Sequence, residues 1–201
     1  AGVRVAVAAG VSVGVFVAVA VAVDVAVDVG VGVRVAVAAG MTVAVEAERL
    51  VKQYRGRGGV VDAVRGVDLR VGVGEVFGFL GPNGAGKSTT IRMLTTLMSI
   101  TSGTATVAGV DVAADPDAVR RRIGVAWQEA GLDARQTGRE LLILQARLFG
   151  MSATQAKSRA EELLELVDLV DAADRRIKGY SGGMKRRLDL ASALVHEPDV
   201  L

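Results

Sequence analysis

The residues best suited to chemistry lie in one run, Gly81-Pro82-Asn83-Gly84-Ala85-Gly86-Lys87-Ser88-Thr89. The run fits G-x-x-x-x-G-K-[ST], the pattern of a phosphate-binding loop. Triphosphate oxygens need several backbone N–H donors converging on them, so the chain must wrap closely around them. Gly81, Gly84 and Gly86 permit that wrap because they carry no Cβ. Lys87 is placed to reach the β- and γ-phosphates of ATP, and the Ser88 hydroxyl to hold Mg²⁺. Asn83, Ala85 and Thr89 complete the stretch expected to line the nucleotide. A helix that begins here adds free N–H groups and the positive end of its dipole. The bland alternative is a glycine-rich turn in a chain with 25 glycines. The setting argues against it: Glu75 to Leu80 reads as a buried strand, and Ser88 to Met98 as a helix.

A second arrangement of the same kind lies at Tyr180-Ser-Gly-Gly-Met-Lys185, ahead of a helix expected over Lys185 to Val195. A hydroxyl, exposed backbone N–H groups and a helix dipole again suit phosphate. One nucleotide rarely needs two such sites, whereas two half-sites in a head-to-tail pair of subunits use both. Tyr54, one of seven aromatic residues, offers a flat face to an adenine base, or simply packs beside a turn. Gln128 sits at the C-terminal end of an apolar run, Ile123 to Trp127, where ligands of open α/β sheets lie. Its amide suits Mg²⁺ or an attacking water; a purely structural loop glutamine is the other reading. His196, the single histidine, stands before Glu-Pro near a helix end and reads as a cap or a surface residue.

The elements that must position these groups follow from periodicity. Thr42 to Val51 suggests a strand, Gln53 to Gly59 a polar turn, and Val60 to Val71 one or two strands. Thr104 to Val107 reads as a strand and Gly109 as a turn. Asp115-Pro116-Asp117 is a helix start, and Arg120 to Arg122 its solvated face. Gly138 to Phe149 is helical, with an apolar face at Leu141, Leu142, Leu144, Gln145 and Leu148. Ser152 caps a further helix with Gln155 completing a capping box. Its body runs from Ala156 to Val167, with Glu161, Glu162 and Glu165 as solvent charges.

With 201 residues the chain holds one domain with a real core. Its net charge of +2 offers no strong field for nucleic acid. The absence of cysteine excludes a disulfide framework and thiolate metal sites. The mean hydropathy of +0.40 averages two different segments. In residues 1–40 valine fills every odd position from Val3 to Val37 except Ala9, a low-complexity repeat of period two. Val5 to Val23 is 19 residues without a charge, long enough for a membrane span. A secretory signal is a poorer fit, because Arg4 is its only basic residue and the apolar run is too long. The favoured reading is that residues 1–40 are a translated upstream stretch, not a native part of the fold, and that the domain starts at Met41.

Taken together, residues 42–201 resemble the nucleotide-binding domain of an ABC transporter. Gly81 to Thr89 matches the Walker A loop, Tyr180 to Lys185 the family signature, Gln128 the Q-loop glutamine and Tyr54 the A-loop aromatic. Tyr180 and Met184 stand where the signature usually has Leu and Gln. The form of this motif, followed by Lys-Arg-Arg-Leu-Asp-Leu-Ala, is similar to the daunorubicin-resistance group of drug-export ATPases. The resemblance implies an α/β P-loop NTPase with an antiparallel β subdomain and a helical subdomain. It implies ATP and Mg²⁺ clamped between Walker A of one subunit and Ser181, Gly182 and Gly183 of another. It also implies a separate transmembrane permease subunit, contacted by about Glu129 to Phe149, and a place at the cytoplasmic face of the membrane. The Walker B Asp and catalytic Glu of the family have no match up to Leu201, and His196 precedes the strand that the switch histidine should follow. The last part of the core is expected to be missing, with weakened binding and little hydrolysis.

A DNA-repair ATPase of SMC type needs a long coiled coil between the two motifs. The 94 positions from Lys87 to Ser181 hold no sustained heptad. A translation-associated ABC protein and a non-catalytic nucleotide-binding module stay open. A chain starting at Met41 is expected to fold and bind nucleotide as the 201-residue chain does; loss of a cooperative melt on this deletion would refute the reading of residues 1–40.

Overall fold

The structure is a computed structural model; the residues it describes are 4–6, 16–19, 42–56, 59–126 and 131–201. They fall into two compact units. The first holds everything described up to Ile123, together with Val200. The second holds the described residues from Gly124 to Asp199, together with Leu201.

The first unit contains two sheets. Arg4–Ala6 (β1) and Phe16–Val19 (β2) flank Val76–Phe79 (β5), β1 parallel and β2 antiparallel to it. These two strands come from the valine-rich repeat, so a chain starting at Met41 measures directly what their rungs contribute. The other sheet is wholly antiparallel, in the order β4-β3-β6-β7. Its strands are Val43–Gly56 (β3), Gly59–Gly72 (β4), Ser102–Val107 (β6) and Val110–Asp111 (β7). Ala44, Val45, Ala47, Leu50, Val64, Val71, Ala105 and Val107 are buried.

Several expectations are corrected here. The turn expected over Gln53 to Gly59 is strand as far as Gly56 and again from Gly59, and Val60 to Val71 lies in one strand. The polar residues that suggested a turn are satisfied across strands instead. The Gln53 side chain donates to Asp62 Oδ1 at 2.9 Å, and the Gln53 N–H to Thr101 Oγ1 at 3.0 Å. Strand β5 is half-buried and not buried. Lys87–Leu94 (α1) stops short of Met98. The Thr95 hydroxyl bonds back to the Ile91 carbonyl at 2.9 Å, and Thr96 turns left-handed at φ 61°.

Pro116–Arg122 (α2) starts as expected, with Asp115 accepting from the Ala118 N–H at 2.9 Å. Arg120 and Arg121 are exposed as expected, and Arg122 is half-buried. Arg120 pairs with Asp117 and donates to Thr96 Oγ1, and Arg122 donates to the Ala108 carbonyl at 3.1 Å. The strand expected from Ile123 is a single parallel rung with Val200.

The second unit is helical: Gly138–Leu148 (α3), Ala153–Leu166 (α4) and Gly182–Ala193 (α5). Thr137 and Glu140 form a capping box that sequence reading passed over, and Ser152 and Gln155 form the one it expected. Leu142, Ala146, Ala156, Ala160, Leu163, Leu164, Leu188 and Ala191 make the core. The expected apolar face of α3 holds only in part. Leu141 and Leu142 are buried, while Leu144 is 43 % and Leu148 71 % exposed. At about 100° per residue Leu144 lies opposite the stripe through Leu142 and Ala146, while Leu148, seven residues after the buried Leu141, is exposed as the last residue of α3. Two of the expected solvent charges on α4 are paired: Glu161 with Arg139, and Glu162 with Arg159 at 2.8 Å. No helix among the described residues is long and apolar enough to cross a membrane.

Where β3 shifts register against β6, between Glu48 and Val51, Arg49 turns to φ 46°. Gly103 crosses this bulge at φ 84°, and a Cβ there would overlap the Arg49 carbonyl. Gly103→Ala is expected to cost about 2 kcal/mol, read as a lower midpoint in a thermal melt.

Candidate functional site

The phosphate-loop residues run from the end of β5 into α1. Gly84 and Gly86 both lie at φ 85°, a conformation that side chains other than glycine rarely adopt. Gly86 is constrained twice, because a Cβ would come within 2.5 Å of the Ala63 carbonyl oxygen and 3.1 Å of Val64 Cγ2. Strand β4 is thus packed directly against the loop. The Ala85 N–H donates to the Pro82 carbonyl at 3.2 Å and closes the turn.

Lys87 is buried, and its ammonium lies inside the loop. Nζ donates to the Gly81 carbonyl at 2.6 Å and the Pro82 carbonyl at 2.8 Å. The start of α1 differs from the other helix starts. Asp115, Thr137, Ser152 and Ser181 each cap their helix by a side chain, but Gly86 at the N-cap of α1 has none to offer. Main-chain donors of the first turn and a lysine cation therefore converge on one place, which is the donor set of an anion site. Asn83, Gly84, Ala85 and Ser88 are exposed around it, Thr89 is half-buried and Gly81 is buried.

Tyr54 lies on β3 opposite Val61 and is 41 % exposed. Its hydroxyl donates to Met98 Sδ at 2.9 Å, which ties the ring to the segment after α1. The structure therefore places Tyr54 in the same unit as the phosphate loop. Gln128 lies outside the described residues. Among the described residues no group of three His, Cys, Asp or Glu side chains could hold a metal ion. Ser88, the expected Mg²⁺ ligand of the loop, is exposed.

The second arrangement lies in the helical unit. Ser181 caps α5, its hydroxyl accepting from the Met184 N–H at 3.2 Å. Helix α5 therefore begins at Gly182, three residues before the expected start. Ser181, Gly182 and Gly183 are exposed, and a Cβ at either glycine would meet nothing within 4 Å. Among the described residues, packing gives no cause for their small size.

Tyr180 is explained by its surroundings. It is buried, and its hydroxyl donates to the Ala172 carbonyl at 2.7 Å. Burial pushes the phenol above its ordinary range, so the hydroxyl keeps its proton for that bond. A Cβ on Gly138 would lie 2.6 Å from this hydroxyl, so Gly138 makes room for it. The Met184 sulfur accepts from Arg175 Nη2 at 3.3 Å, and the Arg175 guanidinium lies 5.5 Å from the Tyr180 ring centroid. Ala63, Gly138 and Arg175 are the supporting residues that sequence reading missed. Gly138 and Arg175 had no signal, since they act only through a tyrosine distant in sequence. His196, expected as a cap or a surface residue, is half-buried. It stacks on Phe149, with ring centroids 3.8 Å apart and planes at 6°.

A family model described as "ABC transporter" matches residues 64–201. The chain is 53 % identical over 160 residues to the daunorubicin/doxorubicin resistance ATP-binding protein DrrA of Streptomyces peucetius, covering 80 % of this chain and 47 % of that protein. It is 46 % identical over 158 residues to the Nod factor export ATP-binding protein I of Paraburkholderia xenovorans, covering 79 % and 51 %. The chain thus spans about half the length of the curated relatives it matches. Among solved structures, the ATP-binding cassette MJ0796, a dimer bound to ADP and Pi, superposes with a TM-score of 0.62 at 24 % identity. That match covers 77 % of this chain and 70 % of the other, and it is a likeness of fold.

The glycines separate into two kinds by test. Gly138→Ala is expected to lower the melting midpoint, because the Tyr180 hydroxyl must leave its bond. Gly182→Ala and Gly183→Ala are expected to hold or raise it, by up to about 1 kcal/mol of helix propensity. Thermal melts of the three variants check this, and destabilisation by Gly182→Ala would show an internal role for that glycine.

Proposed function

Because this chain belongs to the ABC transporter family, we propose that it is the ATP-binding part of an ATP-driven exporter subunit. The substrate class would be drug-like or lipophilic, moved through a separate membrane subunit. The names of the relatives support this: daunorubicin/doxorubicin resistance and Nod factor export. The observation that carries nucleotide binding is the buried Lys87 ammonium inside a loop whose helix has no side-chain cap.

In this reading ATP phosphates enter between Lys87 and the loop amides. Lys87 exchanges its two carbonyl partners for phosphate oxygens, and the first turn of α1 supplies further N–H donors. Asn83, Gly84, Ala85, Gly86 and Thr89 line the phosphates, and Tyr54 stacks on the adenine. Ser88 and Gln128 would hold Mg²⁺, which when bound offsets the charge of the β- and γ-phosphates. Gln128 would also orient the attacking water.

Ser181, Gly182 and Gly183 would close on the ATP of a second subunit in a head-to-tail dimer. The open space around both glycines fits a ligand that arrives from outside the chain. Clamping assembles the site, and hydrolysis separates it through charge repulsion. The stretch from Glu129 to Phe149, with exposed Leu144, Leu148 and Phe149 in it, would carry the motion to the permease at the cytoplasmic face of the membrane. The family's hydrolytic carboxylates find no counterpart within these 201 residues. By themselves the residues are proposed to bind ATP and to turn it over slowly.

Equilibrium binding of ATP in the presence of Mg²⁺ tests the reading. Lys87→Ala is expected to weaken ATP at least about tenfold, since a charge-assisted contact to phosphate is lost. Equal affinity of the variant and the parent chain would overturn the assignment.

A further inference from the structure

Lys52 is a buried lysine that the proposed site does not use. It lies on β3, two residues before Tyr54, and is only 9 % exposed. Its ammonium donates to the Ser99 carbonyl at 2.6 Å and to Ser99 Oγ at 3.1 Å. Neither partner carries a formal charge, so its positive field is not quenched there. The same ammonium lies over the Tyr54 ring, 5.6 Å from the centroid. Lys52 is buried while Tyr54 is 41 % exposed, so part of the Tyr54 surface stays open to a ligand.

The neighbouring bonds fix this arrangement tightly. The Thr101 N–H donates to the Val51 carbonyl at 3.0 Å and the Gln53 N–H to Thr101 Oγ1, while the Tyr54 hydroxyl reaches Met98. Residues 51–54 are thus laced to residues 98–101, the segment that leaves the phosphate-loop helix. Among the described residues no ion pair is made by Lys52, and burying a lysine without one costs free energy that a leucine would not, so the charge calls for a use.

We propose that Lys52 is a positioning and specificity residue for the nucleobase. From beneath, it fixes the plane of the Tyr54 ring and draws electron density towards itself, so that the outer face prefers an electron-rich purine. A layered order follows: ammonium, phenol ring, base. This rests on the reading that Tyr54 stacks on the base of a bound nucleotide.

The test is calorimetric titration of the 201-residue chain with ATP, CTP and tripolyphosphate, each with Mg²⁺, in parallel with four variants. Lys52→Gln removes the charge and keeps a donor for Ser99. Affinity for ATP should fall about fivefold, while that for tripolyphosphate, which has no base, stays within about twofold and the preference for ATP over CTP narrows. Lys52→Arg keeps the charge and should keep ATP affinity within about twofold. Tyr54→Phe keeps the ring for base and ammonium but loses the bond to Met98 Sδ, so ATP should weaken less than in Tyr54→Ala. Tyr54→Ala should bring ATP down towards tripolyphosphate.

Equal losses of ATP and tripolyphosphate affinity in Lys52→Gln would reduce Lys52 to a structural tie and overturn the proposal. So would an unchanged ATP affinity in Lys52→Gln beside a loss in Tyr54→Ala, which leaves base stacking intact. An unchanged ratio of ATP to tripolyphosphate affinity in Tyr54→Ala would instead remove base stacking, and the proposal with it. Should Lys52→Gln lack a cooperative melt, Lys52→Arg decides: the parental ratio supports the proposal, and the ratio of Tyr54→Ala overturns it.

Discussion

The closeness of Gly86 to the Ala63 carbonyl is the constraint on which the rest of this site depends. No side chain fits in that gap, and the backbone at Gly86 is left-handed as well. The helix that follows must therefore begin without a side-chain cap, since the only residue that could cap it is forbidden one. Four other helices in the chain resolve their first turn with Asp, Thr or Ser. Here the same physical need stays open towards solvent, and a buried lysine is folded back beneath it. A deficit in local structure and an affinity for anions are the same feature seen from two sides.

The antiparallel sheet supports this loop. Strand β4 supplies the Ala63 carbonyl that fixes Gly86, and strand β3 supplies Lys52 and Tyr54. The two strands pair from Val43–Gly72 to Gly56–Gly59, with four register shifts along the way. The residues proposed for base and phosphate thus lie on one hairpin and the helix beside it, within a single unit. The helical unit has a different economy. Its core is built from leucines and alanines that let α3, α4 and α5 approach closely, and its glycines at the start of α5 face outwards.

Much of this was legible from residues alone. The caps at Asp115 and Ser152 and the Ser-Gly-Gly start of α5 are local: the deciding atoms lie within four residues of one another. The loop is local as a motif, but its fit beneath Ala63 is not. The antiparallel and helical subdomains also stood as expected. What failed to show depended on distant partners. Gln53 looked like a turn residue because its satisfaction comes from Asp62 and Thr101. Glu161 looked like a solvent charge because Arg139 comes from another helix. Gly138 looked like an ordinary helix start because the tyrosine it admits is some forty residues away in sequence. The strand expected at Ile123 failed for another reason, since an apolar run forms a ladder only where a partner strand runs beside it.

Arg159 gives α5 a further property. Its guanidinium takes the Leu194 and Val195 carbonyls at 2.9 and 3.1 Å, while Glu162 of its own helix holds it at 2.8 Å. The far end of α5 is thus bolted to α4, and the near end is squared off by Ser181. Arg187 adds a mid-length fastening to the Val167 carbonyl at 2.9 Å, at the end of α4. A rod fixed at its tail and middle does not flex on its own. Any tilt of α4 swings the tip of α5, and Ser181, Gly182 and Gly183 travel together as the head of a lever.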